Sequence, residues 1–424
     1  MYQKQKLTNG LTLITAPLKE TKAVTVLVLL PVGSRYESQN INGASHFVEH
    51  LMFKGTKKRP TSLDITKVLD AVGADYNAFT TKDHTGYYVK IAAEKIELAF
   101  DILSDMIFDS ILPPSEIEKE RGVILEEIKM YEDNPMMYLP ILFEETLFGK
   151  TPLGWSIAGP KSVIKKISQN QLLNYYRAHY SAAKMVLAVA GNFDRRQINL
   201  LAKNYFGRRQ KKSAKTNFSQ FKVSQTSPRL NLSFRKTQQV QLGLGFPAYR
   251  LNDKKIFPLY LLSIILGGNM SSRLFISVRE EHGLAYYIRT DLSAYQDTGN
   301  FMVAAGLDSA RIFAAIKLIL AELNKIKERG VSPQELKNAK EFLRGKLVLD
   351  LEDSENVADW YAKQELLLNQ IQTPAERLKK IFAVSQNDIK KVANEIIQRK
   401  KLNLALIGPF KQKKEFEKLL NNNG

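Results

Sequence analysis

The chain is written twice, and that constrains its fold more than any other feature. Thr25–Gly33 reads TVLVLLPVG, and Val240–Ala248 reads VQLGLGFPA, 215 residues later. Ser168-Gln169-Asn170-Gln171 leads through a helix-like stretch to Met185–Phe193, MVLAVAGNF. Ser385-Gln386-Asn387-Asp388 recurs 217 residues on and leads to Leu402–Phe410, LNLALIGPF. A third pair, Ser115–Asp133 and Gln334–Asp353, keeps nearly the same offset. A near-constant offset, 215 to 220 residues, across three unrelated stretches is the mark of a duplicated structural unit rather than of chance.

Each copy alternates β-rich runs with long amphipathic ones. Ile91–Asp109 and Ala310–Arg329 carry apolar residues at helical spacing, and a helix is expected over Pro114–Tyr131. The expected fold class is α+β: two homologous domains, each a mostly antiparallel sheet with helices packed on one face. The polar, basic stretch Arg208–Arg229 reads as the connection. The expected organisation is a first domain over residues 1–212, a linker over 213–229 and a second domain over 230–424. Two such domains can enclose a chamber, and ligand sites favour such interfaces.

Composition narrows the chemistry. The 424 residues include no cysteine, which excludes thiol catalysis, disulfides and thiolate metal sites. A metal would have to be held by histidine and carboxylate. There are only five histidines, and two of them, His46 and His50, lie four residues apart. The formal charge of +19 raises nucleic acid or an anionic membrane as partners. The lysines are scattered, however, and the one dense run, Arg208–Lys212, lies in the connection. No nucleic-acid partner is expected. The longest apolar stretches, Ala23–Val32 and Ile256–Leu266, are too short to span a bilayer, and Met1–Asn9 has no apolar core, so no membrane partner and a cytoplasmic location are expected.

Gly43-Ala44-Ser45 precedes His46, and Ser45 is the expected helix N-cap. On a helix, His46 and His50 project to one side and can grip one Zn²⁺. Glu49 borders the same face, where a general base for a metal-activated water belongs. His-x-x-Glu-His is the inverted form of a zinc-peptidase motif. A third ligand must come from Glu or Asp, and the helix Glu116–Tyr131 supplies candidates. Glu120 and Glu127 are two turns apart on one face, whereas Glu126 and Glu127 point about 100° apart, so only one of that pair can face a metal. The second copy has Lys346 and Leu347 at the matching places. His84, His179, Trp155 and Trp360 read as structural residues.

Gly43–Thr56, GASHFVEHLMFKGT, together with Glu120-Arg121 and the Glu127 that follows, resembles the signature of the pitrilysin/insulinase family of zinc peptidases. The resemblance covers nearly the whole chain. It implies one Zn²⁺ per chain held by His46, His50 and Glu127, with Glu49 as base and Glu120 orienting a ligand; Glu126 stays open as the alternative. It also implies that Asn77-Ala78-Phe79 lies on an edge strand that pairs with the substrate backbone. In the second half, Arg279 and Tyr286 stand seven apart and correspond to the pair that donates to the substrate carbonyl.

The activity implied is that of a metalloendopeptidase acting on unfolded peptides. Short members of the family associate in pairs, and a chain carrying both the metal motif and the Arg/Tyr pair is expected to form a homodimer, with a heterodimer as the alternative. A non-catalytic assembly subunit and a processing peptidase for basic targeting sequences are the competing readings.

Overall fold

A computed structural model describes residues 2–207 and 217–421. The run Arg208–Lys212 and the first four positions of the expected linker lie outside the described residues. In chain order the first half supplies β1 (Gln3–Lys6), β2 (Thr12–Pro17), β3 (Ala23–Leu30), α1 (Ala44–Leu51), α2 (Ser62–Asp70), β4 (Asp75–Thr80) and β5 (Thr85–Ala92). There follow α3 (Ile96–Asp109), α4 (Pro114–Asp133), α5 (Pro135–Phe148), α6 (Lys161–Ile164), α7 (Gln169–His179), β6 (Val186–Gly191) and α8 (Arg195–Leu201). The second half supplies β7 (Arg229–Phe234), β8 (Gln239–Ala248), α9 (Ile256–Gly267), β9 (Ala285–Ala294), β10 (Gly299–Asp308) and α10 (Ile312–Arg329). It closes with α11 (Pro333–Asp350), α12 (Ser354–Leu368), α13 (Pro374–Phe382), α14 (Gln386–Ile396), β11 (Asn403–Gly408) and α15 (Lys414–Asn421).

The repeat is visible in the strand order. The first sheet runs β1-β2-β6-β3-β5-β4 and the second β7-β11-β8-β10-β9. Without β1 the two orders correspond strand for strand. In each, one pair is parallel (β2 with β6, β7 with β11) and the rest are antiparallel. The matched runs at Thr25 and Val240 are the equivalent strands β3 and β8. The run from Ile91 does not begin as a helix: Ile91 and Ala92 finish β5, paired with Val24 and Ala23, and the helix starts at Ile96. Ladder hydrogen bonds to a central strand outweigh a weak local helical preference.

β3, AVTVLVLL, is apolar without alternation, as a strand covered on both faces must be. Val24, Val26, Val28 and Leu30 face a core built with Phe47, Val48 and Leu51 of α1, Leu103 and Met106 of α3, Ile117 and Ile124 of α4, and Leu172 of α7. Leu27 and Leu29 face the other way. They join Ile14, Val186, Ala188 and Ala190 against Val357, Ala358, Tyr361 and Ala362 of α12. Thr25, also on this face, bonds Ser354 Oγ at 2.8 Å. The second sheet repeats the scheme. Leu242, Leu244 and Phe246 of β8 pack with α9, α10 and α14. On the opposite face Met302, Ala304, Ala405 and Ile407 pack against Leu139, Leu142, Phe143 and Leu147 of α5. Gly245 lets α5 lie close, because a Cβ there would sit 2.8 Å from the Phe143 ring.

By its contacts the chain divides into two compact units. The first comprises Met1–Lys129, Trp155–Ser219 and Leu347–Ile371, and the second Met130–Gly154, Gln220–Lys346 and Gln372–Gly424. The equivalent helices α5 and α12 are thus exchanged, each covering the sheet of the other half. No helix among the described residues is long and apolar enough to cross a membrane.

Burying a Val- or Leu-sized side chain is worth about 1.5–3 kcal/mol, so a sheet face stripped of its helix forfeits a large share of a stability margin of roughly 5–15 kcal/mol. A fragment ending at residue 207 should therefore bind a hydrophobic dye and lack a cooperative melt, and a peptide of residues 347–371 added in trans should restore the transition. A monomeric fragment that melts cooperatively alone would show that α12 is dispensable.

Candidate metal centre

α1 carries the site, and its faces are divided by polarity. Phe47, Val48 and Leu51 are fully buried in the core. His46, Glu49 and His50, at i, i+3 and i+4, share the opposite face. The helix does not begin as expected: Ser45 is not its N-cap. Gly43 holds that position in the left-handed region at φ 101°, where a Cβ would also sit 2.7 Å from the Ala158 carbonyl oxygen. Ser45 lies inside the first turn, and its hydroxyl hydrogen-bonds Tyr175 Oη at 2.7 Å. The amides are satisfied instead by the buried carboxylate of Glu37, which accepts from Gly43 N and Ser45 N, both at 2.7 Å. Burial pushes the Glu37 carboxyl up to about 7, against the lowering effect of its bonds to Ser45, Asn42 and Gly43.

His46 Nε2 and His50 Nε2 are 3.3 Å apart. α4 brings Glu127 to them, its Oε2 3.5 Å from His46 Nε2 and 3.6 Å from His50 Nε2. Among the described residues this is the one group of three or more potential ligands whose donor atoms cluster, all within 4.8 Å. Tetrahedral bonds of about 2.0–2.2 Å separate neighbouring donor atoms by roughly 3.3–3.6 Å, so the three atoms already have the spacing of ligands around one cation. Two histidines and a glutamate are a donor set of catalytic zinc. Glu126, the adjacent carboxylate, turns outward; its side chain is 72% exposed and pairs with Lys129 at 2.5 Å.

The rings are prepared for the role by different means. His50 Nδ1 lies 3.1 Å from Glu120 Oε2, and Glu120 Oε1 meets Lys54 Nζ at 2.8 Å. Burial would raise the Glu120 carboxyl, but the bonds to His50 and Lys54 hold it below the usual range. An ionised Glu120 can only accept, so His50 donates from Nδ1 and, when neutral, presents the Nε2 lone pair. Burial would lower His50; the Glu120 bond and the charges of Glu49, Glu127 and Glu120 outweigh it and raise it. His46 is lowered to about 3 by burial and by His50, and is neutral. Its Nδ1 is buried without a hydrogen-bond partner among the described residues. Burial raises Glu127, with His50 opposing.

Glu49 stands beside the three donors without joining them. Burial raises its carboxyl, opposed by a hydrogen bond from Thr80 Oγ1 to Oε2 at 2.5 Å. Thr80 ends β4, the edge strand that carries Asn77, Ala78 and Phe79, paired on one side with Tyr88, Tyr87 and Gly86 of β5. The first unit therefore holds His46, His50, Glu49, Glu120, Glu127 and the β4 residues. Arg279 and Tyr286 belong to the second unit. Arg279 lies in the helical turn Phe275–Glu281 with its guanidinium 4.6 Å from the Phe275 ring, and Tyr286, near the start of edge strand β9, is 74% exposed. Sequence reasoning missed Thr80, Lys54 and Glu37. Thr80 follows directly on the Asn77–Phe79 run; Glu37 is nine residues before His46, a spacing that carries no periodic signal.

Residues 13–161 match the family described as Insulinase (Peptidase family M16), and residues 166–343 match the Peptidase M16 inactive domain. The chain is 34% identical to the uncharacterized zinc protease SCO5738 of Streptomyces coelicolor, over 97% of this chain and 90% of that protein. It is 33% identical to the uncharacterized zinc protease YmxG of Bacillus subtilis, over 96% of this chain and 98% of that one. Its fold superposes on a protease from Helicobacter pylori with a TM-score of 0.91 at 24% identity, covering 96% of this chain and 99% of that one.

Glu127→Gln should weaken Zn²⁺ binding at least ~10-fold, as loss of a ligand or its support does, while Glu126→Gln leaves it unchanged. Competition against a chromophoric chelator measures both, and equal losses would refute the assignment of Glu127.

Proposed function

The chain belongs to the insulinase family of peptidases, M16, and from that premise we propose that it is a zinc-dependent endopeptidase that hydrolyses unfolded peptides with Glu49 as general base. The observation that carries this reading is the convergence of His46 Nε2, His50 Nε2 and Glu127 Oε2, with the Glu49 carboxylate on the same helix face. Zinc held by these three residues would supply Lewis acidity, polarising the scissile carbonyl and making water a nucleophile near neutral pH.

The chain's own residues do the rest. Glu49 accepts a proton from the attacking water and returns it to the leaving nitrogen as the C–N bond breaks. Its partial burial favours a carboxyl that can both take and give a proton, and the Thr80 hydroxyl fixes one oxygen so that the other is free for the transfer. The exposed edge of β4 offers main-chain groups to an extended peptide, which gives affinity with little side-chain selection. Arg279 and Tyr286 donate to the carbonyl oxygen as it gains charge. The match of residues 166–343 to an inactive domain fits this division, since the second half has no ligand cluster among its described residues. A homodimer is the assembly we propose for a chain that carries both parts.

The test is cleavage of an unstructured peptide library with and without a chelator. Glu49→Gln should bind zinc as the wild type does and lose about 10²–10⁴ in kcat, the usual worth of a positioned base. An active Glu49→Gln enzyme would sink the assignment. A wild type that carries no zinc and cleaves nothing would favour a non-catalytic subunit. Tyr286→Phe should keep its zinc and lose about 10²–10³ in kcat with little change in KM, as removal of one oxyanion donor does; a change confined to KM would make Tyr286 a ground-state contact.

A further inference from the structure

We propose that Glu37 is the positioning residue of the metal helix: its buried carboxylate supplies the N-terminal cap that α1 lacks and thereby sets the direction of His46 Nε2. This rests on the reading of the metal centre given above.

α1 has eight residues, about two turns, and such a helix does not hold its shape in isolation. No side chain within it satisfies its first amides. Gly43, at the N-cap, has none to offer, and the Ser45 hydroxyl is engaged with Tyr175. Glu37, only 5% exposed, reaches in from the turn that follows β3. One oxygen accepts from Gly43 N and from Asn42 Nδ2 (2.9 Å), and the other accepts from Ser45 N. Asn42 Nδ2 is also 3.1 Å from the Ser156 carbonyl oxygen, which ties the latch to a separate segment. A carboxylate here also complements the positive end of the helix dipole.

The two histidines differ in what aims them. His50 is oriented through its own ring by Glu120. His46 Nδ1 has no partner among the described residues, so no carboxylate behind that ring sets its plane; its one ring hydrogen bond is the 3.3 Å contact of Nε2 with His50 Nε2, on the ligand side. Its aim is inherited from the backbone, and Glu37 holds the amide of the residue before it, Ser45, as well as that of Gly43. Glu37 thus does for His46, through the main chain, what Glu120 does for His50 directly.

Glu37→Gln keeps the shape but replaces one acceptor oxygen with a donor that opposes a backbone N–H. Zn²⁺ affinity, read by chelator competition, should fall about 10–100-fold, the range for lost ligand support. With Co²⁺ in place of zinc, the visible d–d bands should shift. Asn9→Ala is the control for stability alone, since Asn9 is buried and donates to the Phe206 carbonyl oxygen at 2.8 Å, away from α1. It should lower the melting temperature and leave both metal readouts unchanged. Unchanged affinity and spectrum in Glu37→Gln, or the same changes in Asn9→Ala, would overturn the proposal. Should Glu37→Gln fail to fold, Asn42→Ala decides: removing one of the two hydrogen bonds to that Glu37 oxygen should weaken zinc severalfold, and no change would overturn it. A wild type that binds no zinc would refute the metal centre itself, whereas tight wild-type binding matched by Glu37→Gln refutes the role of Glu37 alone.

Discussion

Everything in this molecule depends on two sheets that are each apolar on both faces. A strand that is hydrophobic on one side needs one helical layer; a strand with no polar side needs two. The first layer of each sheet comes from its own half, and the second is a single helix from the other half. In the first unit the same constraint seats the metal helix, because Phe47, Val48 and Leu51 are part of the layer against β3. With that face committed to the core, His46, Glu49 and His50 have one direction left.

The centre is then an electrostatic problem. Glu49, Glu120 and Glu127 are gathered around two imidazoles, and among the described residues the ammonium of Lys54 is the one cationic side chain bonded to the group. With both rings neutral, three carboxylates and one ammonium leave an excess of two negative charges, which a divalent cation cancels. Burial raises the Glu49 and Glu127 carboxyls without any ion present, and the nearby charge of Glu127 adds a smaller push to the rise at Glu49. A divalent cation held there would relieve the same crowding of carboxylates.

Much of this was legible in the sequence because periodicity carries it. A separation of four positions from His46 to His50 puts both rings on one side, and one of seven from Glu120 to Glu127 puts both carboxylates on one side of α4. Which of Glu126 and Glu127 faces the histidines was not legible, since that depends on how α4 is rotated against the core by Ile117, Ile124 and Ile128. The cap was misread: Ser45 is a good N-cap by residue type, but a glycine at φ 101° and a carboxylate from outside the helix displace it. Helices α5 and α12 were invisible as exchanged elements for a related reason. An apolar stripe announces that it will be buried, not which sheet will bury it.

The exchange of α5 and α12 also has a consequence in time. A ribosome adds about 5–20 residues per second, so the roughly 160 residues between the end of the first half and the end of α12 take on the order of 10–30 s to make. For that interval Ile14, Leu27, Leu29 and Val186 have no partner helix, and α5 waits equally for its sheet. Birth of this protein is therefore a period of enforced incompleteness. Its first half keeps that apolar face without its covering helix until α12, in about the last sixth of the chain, has been made.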